Sequence, residues 1–137
     1  MIMRFVIFFV LFPVAFAGIY DKETHLVLDG NETLGRLVEE GHIERLSDAC
    51  FLEKPVHVSS RGTLDALGSD CKVLYMYPES YIRIAGSGHF FGITITSLDP
   101  TTYHPVRLTR ENYSLKRPHV YTKDPLGHVH IEDSEFS

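Results

Sequence analysis

Apolar and polar positions alternate through most of the middle of the chain, with the densest apolar and aromatic run from Cys71 to Leu98. Within it Val73, Tyr75 and Tyr77 fall on one side and Leu74 and Met76 on the other. That pattern predicts a strand over 72–77 with two apolar faces, as at the centre of a sandwich or barrel. Pro78-Glu79-Ser80 breaks it. Ile82 and Ile84 then alternate with Tyr81 and Arg83, and Phe91, Ile93 and Ile95 with Phe90, Thr94 and Thr96. Two strands are predicted over 81–85 and 90–98, joined as a hairpin by Gly86-Ser87-Gly88, with Gly92 marking a bulge or close packing.

Upstream, His25 to Leu28 has the texture of a short strand. Asn31 is a helix N-cap and Gly41 a stop, and Leu34, Leu37 and Val38 lie at helical spacing between them. A short amphipathic helix over 32–40 follows, weakened by about 1 kcal/mol by Gly35, with a second helical turn over 43–49. Strands are expected over 51–52 and 55–59, where Pro55 suits an edge and His57 points outward between Val56 and Val58. Residues 63–67 suit a strand or a helical turn. Beyond Asp99-Pro100 the texture changes: prolines punctuate short candidate strands over 106–109, 120–122 and 128–131. The spacing shows no solenoid-type repeat.

Residues 1–17 have the form of a secretory signal peptide, with Arg4 as the basic region, Phe5 to Phe16 as the apolar core and Ala15-Phe16-Ala17 before cleavage. The run is shorter than the roughly 20 residues that span a bilayer. The expected organisation is a signal peptide (1–17), an N-terminal extension with a short helix (18–49), a β-sandwich domain (50–122) and a flexible acidic tail (123–137). Secretion permits a disulfide, and the two cysteines of the chain allow one internal pairing, Cys50 with Cys71. A zinc site lacks the paired CxxC pattern. The fold class is therefore mostly β: a small disulfide-stapled antiparallel β-sandwich with a short N-terminal helical segment. Secretion also opens two sequons, at Asn31 and Asn112, to N-glycosylation.

The formal net charge is −5 and the basic residues are scattered, which argues against nucleic acid. His128, His130 and Glu132 alternate on one strand face and invite a zinc or copper reading. The competing reading is a polar strand near a terminus, and no metal or other cofactor is assigned. His89 is expected exposed at the hairpin tip. No GxSxG elbow is present, both cysteines are spent in the disulfide, and Glu39 and Glu40 sit on a helix surface, so no catalytic residue is named. Tyr75, Tyr77, Tyr81, Phe90 and Phe91 cannot all face inward on two-sided strands. Tyr75, Tyr77, Tyr81, Arg83 and Phe90 form the candidate protein-binding surface, tyrosine offering large area with one polar handle.

The signal peptide, the pair Cys50 and Cys71, the run CKVLYMYPESYIRIAG and the following IRIAGSGHFFGITI resemble the fungal MAX effectors, the group of Magnaporthe avirulence proteins and ToxB-like toxins. The resemblance covers about residues 49–98 and is one of pattern. It departs in its closely spaced cysteines, the helix before them and the Pro-punctuated segment after. It implies a six-stranded sandwich and a non-enzymatic, virulence-associated effector that is secreted, enters host cells and binds host proteins through its sheet surface, with heavy-metal-associated domains as partners of some members. A monomer without membrane attachment after signal removal is expected. A second resemblance joins CFLEKPVHVSSRGTL and FFGITITSLDP to βγ-crystallin-like domains, although the acidic pair of their calcium loop is missing ahead of Thr96-Ser97. It implies an extracellular crystallin-like or lectin-like binding module. A small secreted hydrolase is the remaining alternative.

Overall fold

The computed structural model describes residues 18–98, 119–123 and 127–136. Those residues are mostly β, in fourteen short strands: β1 (Ile19–Asp21), β2 (Leu26–Leu28), β3 (Asn31–Thr33), β4 (Glu44–Leu46), β5 (Ala49–Leu52), β6 (Val56–Val58), β7 (Thr63–Leu67), β8 (Val73–Met76), β9 (Tyr81–Ile84), β10 (Ser87–Phe91), β11 (Thr94–Ser97), β12 (His119–Thr122), β13 (His128–Glu132) and β14 (Glu135–Phe136). One helix, α1 (Leu34–Glu39), lies between β3 and β4.

The strands visit three sheets in rotation. Sheet A has the order β1-β2-β6-β9-β12, sheet B β13-β10-β7-β3, and sheet C β14-β11-β8-β5-β4. All pairings between successive turns of the chain are parallel. Antiparallel pairing is confined to β1 with β2 and β4 with β5, which cover the outer edges of the first turn in sheets A and C. The chain is thus a three-sided parallel β-solenoid of stacked coils. This overturns the antiparallel sandwich. Tyr81 to Ile84 and Ser87 to Phe91 do not form a hairpin, because β9 lies in sheet A and β10 in sheet B. Gly92 is no bulge: it follows β10 at φ +63° and starts the corner into β11. Residues 44–46, expected to be helical, form β4, and His57 lies on the central strand of sheet A rather than at an edge.

Alternation explains the core. In each strand one set of side chains turns inward, where it stacks on its counterpart one coil away. The inward rows run Leu26–Val56–Ile82–Val120 in sheet A and Cys50–Leu74–Ile95–Phe136 in sheet C. In sheet B, Ala66 pairs with Phe90. Most of these side chains are fully buried, and exposure rises at the last coil, at Ile131 and Phe136. Helix α1 sits inside the first coil and adds Leu34 and Leu37 to the core; Thr33 caps it by accepting from the Arg36 amide at 3.0 Å.

The corner between sheets A and B is built from Gly30, Gly62, Gly86 and Gly127, one per coil. Thr63 donates to the Gly30 carbonyl, Ser87 to Gly62 and His128 to Gly86, at 2.9, 3.0 and 2.9 Å. A Cβ at Gly62 would meet the Leu28 carbonyl oxygen; at Gly86 it would meet those of Gly62 and Ser59. Gly62, Gly86 and Gly127 are close-approach glycines, not turn glycines with positive φ. The cysteines meet as expected: Cys50 on the inward row of sheet C and Cys71 at the corner before β8 form a disulfide with Cα atoms 5.7 Å apart.

Glu32 is the one charged side chain among the buried residues described. It occupies an inward position opposite Leu64, is 3% exposed, and its Oε1 has no hydrogen-bond partner; Arg36 Nε lies 3.5 Å away. Burial raises its carboxyl above the ordinary value, against the pull of Arg36 and with a smaller push from Glu40. The folded carboxyl therefore keeps its proton at a pH where the unfolded one has lost it, and stability falls as pH rises through that window. Glu32→Gln is expected to stabilise the fold by about 1–2 kcal/mol at pH 7.5 and by less at pH 4. Urea denaturation of both forms at the two pH values measures this.

Candidate functional site

Inward rows imply outward rows. On sheet A the outward positions are Tyr20, Val27, His57, Tyr81, Arg83, His119 and Tyr121. Tyr20, Val27, His57, Arg83 and Tyr121 stand at one register position, strand after strand. Tyr81 and His119 share the next. Five strands at about 4.8 Å make a face about 19 Å across.

Its rings form a ladder. The His25 ring, just before β2, stacks on His57 with centroids 4.1 Å apart; His57 and Tyr81 are 5.5 Å apart; Tyr81 lies 6.0 Å from both His119 and Tyr121; and His119 stacks on Tyr121 at 4.9 Å. Each such pair contributes about 0.5–1.5 kcal/mol beyond its buried area.

A directed hydrogen-bond chain crosses this ladder. An Arg83 Nη donates to His57 Nδ1 at 3.2 Å, so Nδ1 is an acceptor and the network assigns the proton of the neutral ring to Nε2. His57 Nε2 then donates to the Tyr81 hydroxyl at 2.9 Å, which leaves the Tyr81 hydroxyl its own proton to donate. The neutral state is enforced: burial, then the charge of Arg83, then His25, push the His57 pKa down to about 4. Among the described residues Arg83 makes no ion pair, its one partner being His57.

The depressed His57 value has a consequence for stability. Below pH 6.5 the unfolded imidazole takes up a proton that the folded one refuses until about 4. Its contribution is therefore complete above that window and is lost as pH falls through it. With screening at a half-buried site the loss is about 1–2 kcal/mol. His57→Gln is expected to flatten this part of the stability profile, read by urea denaturation between pH 7.5 and pH 4.

The five residues expected to form one surface are split. Tyr81 and Arg83 lie together on sheet A. Tyr75 is outward on sheet C, stacked on Phe51 at 5.4 Å. Tyr77 is half-buried after β8, its amide bonded to the Leu52 carbonyl. Phe90 is fully buried, because it occupies an inward position of β10 opposite Ala66, so it belongs to the core and not to a surface. The face also includes Tyr20, His25, His119 and Tyr121, which sequence reasoning did not select. The signal was present: each lies next to an apolar residue of an inward row.

Sheet B carries three further histidines. His89 is not at a hairpin tip; it lies within β10, hydrogen-bonded through Nδ1 to Asp65 at 2.8 Å and 6.3 Å from the His130 ring. His128, His130 and Glu132 project outward from β13, with His130 and Glu132 4.0 Å apart. Among the described residues no three such groups converge to hold a metal ion. Asn31 is exposed at the edge of sheet B, and Asn112 lies outside the described residues. No described helix is long and apolar enough to cross a membrane. The fold and face define a β-solenoid with an aromatic, arginine-bearing side, and no family model, curated protein or solved structure matches the chain.

Proposed function

We propose that this chain is a secreted, non-enzymatic module that binds an extended macromolecular ligand along the outer face of sheet A. The observation that carries this reading is the ladder of rings from His25 to Tyr121 around Arg83, which alternates between two adjacent outward register positions. Solenoids repeat their side chains at a fixed pitch, which suits a ligand that is itself long and regular. Tyr20 and Tyr121, 45% and 38% exposed, offer large ring area near opposite edges of the sheet.

The test is binding to an immobilised panel of glycans and host proteins by the wild type, by the Tyr20→Ala/Tyr121→Ala double variant, and by His89→Ala on sheet B. The double variant is expected to lose at least about tenfold in affinity, and His89→Ala less than twofold. The opposite order places the working surface on sheet B and overturns the reading. A host-protein partner, the role implied by the effector resemblance, would use the same face, since tyrosine and arginine are the residue types enriched at binding hot spots.

A further inference from the structure

Resting on that reading of the sheet A face, the geometry points to its ligand: we propose a linear, carboxylate-bearing polysaccharide, with Arg83 holding a carboxylate and the Tyr81 hydroxyl donating to a neighbouring sugar oxygen. Three observations converge. The first is charge. The whole chain carries a formal −5, yet the outward positions of sheet A, Tyr20, Val27, His57, Tyr81, Arg83, His119 and Tyr121, hold no carboxylate. Arg83 stands among them half-buried, with one of its five N–H donors on His57 and no ion pair among the described residues. A guanidinium so placed matches a carboxylate in shape and charge.

The second is direction. The chain from Arg83 through His57 to Tyr81 runs donor to acceptor at each step, so it ends on a hydroxyl that accepts from His57 and keeps its own proton to donate. The natural occupant is an acceptor oxygen a few ångströms from the anion held by Arg83. A uronic acid residue carries carboxylate, ring and hydroxyl oxygens within that span.

The third is what the face lacks. Among the described residues Val27 is its one outward aliphatic side chain, so the face offers rings and polar groups and no aliphatic patch. Nucleic acid, with a charge on every phosphate, needs a stripe of Lys and Arg rather than one Arg. The phenol hydroxyls of Tyr20 and Tyr121, able to donate and accept, and that of Tyr81, with its proton to give, match sugar hydroxyls.

The experiment is calorimetric titration of the full chain with three probes: a hexamer of galacturonic acid, the same hexamer fully methyl-esterified, and dextran sulfate. Wild type, Arg83→Gln and Tyr81→Phe are compared. The acid hexamer is expected to bind at least about tenfold more tightly than the ester, which replaces each carboxylate with a neutral methyl ester on the same sugar backbone. Arg83→Gln should remove that preference, while Tyr81→Phe keeps it and weakens both by about two- to tenfold. If Arg83→Gln does not fold, the acid-to-ester ratio in wild type and Tyr81→Phe decides. Equal binding of acid and ester, or no binding of either, overturns the proposal. So does dextran sulfate binding as tightly as the hexamer, which would mark a generic polyanion surface. A neutral glycan or a protein bound through Tyr20 and Tyr121 but indifferent to Arg83 would sink this proposal and leave the broader binding reading standing.

Discussion

Replacing Cys50 and Cys71 together with alanine is expected to lower the unfolding free energy by about 3–4 kcal/mol, a large share of what a small domain has. The two residues are 21 apart in sequence, and closing a loop of that size accounts for about 3 kcal/mol in the chain-entropy picture. The remainder comes from packing. Both sulfurs are fully buried, and Cys50 sits on the inward row of sheet C against Leu74. Position matters as much as loop length. In a solenoid each coil is held mainly by its neighbours, so a bond from the first coil to the corner of the second ties the terminal unit to the stack. Urea denaturation followed by circular dichroism should show the midpoint falling in the double variant, and in the wild type on adding reductant. A change under about 1 kcal/mol would contradict the account.

The second large effect lies at the A–B corner. Gly62→Ala and Gly86→Ala should each cost about 3 kcal/mol or more, because the added methyl group meets backbone carbonyls of adjacent turns, which cannot rotate away. Relief requires the coils to separate, lengthening the hydrogen bonds from Thr63 to Gly30 and from Ser87 to Gly62. Gly41→Ala is the internal comparison. That position has φ +80° but open space around it, so the substitution should cost only about 1 kcal/mol of backbone strain. Equal losses at Gly41 and Gly62 would mean that the corners are not close-packed as described.

The central strands were legible in the chain and their arrangement was not; residues 31–33 and 44–46, read as helical, form β3 and β4, and Thr33 rather than Asn31 caps the helix. Val73 to Met76 and Tyr81 to Ile84 announce themselves by alternation, which depends only on one face being buried. Parallel pairing between coils leaves no local mark, because the partners of β9 are β6 and β12, far away in sequence. Gly86-Ser87-Gly88 satisfies the residue preferences of a hairpin, yet Gly86 serves a corner and Gly88 an inward position beside Ile84. The repeat was hidden because Leu26, Val56, Ile82 and Val120 recur at unequal intervals; the one regular feature, a glycine just before β3, β7, β10 and β13, marks the corners. For the face, Tyr81 and Arg83 stood out as an aromatic and a cation on one strand. Their neighbours His25, His57, His119 and Tyr121 come from three other coils, and only the register brings them together.

The central claim is that sheet A is the working surface of the solenoid. The most direct measurement is a two-dimensional NMR titration of the full chain with the galacturonic acid hexamer. The account predicts shifts concentrated on the amides of Val27, His57, Tyr81, Arg83 and Tyr121, with sheets B and C largely unmoved. Shifts centred on His89, His130 and Asp65, or on Phe51 and Tyr75, would contradict it.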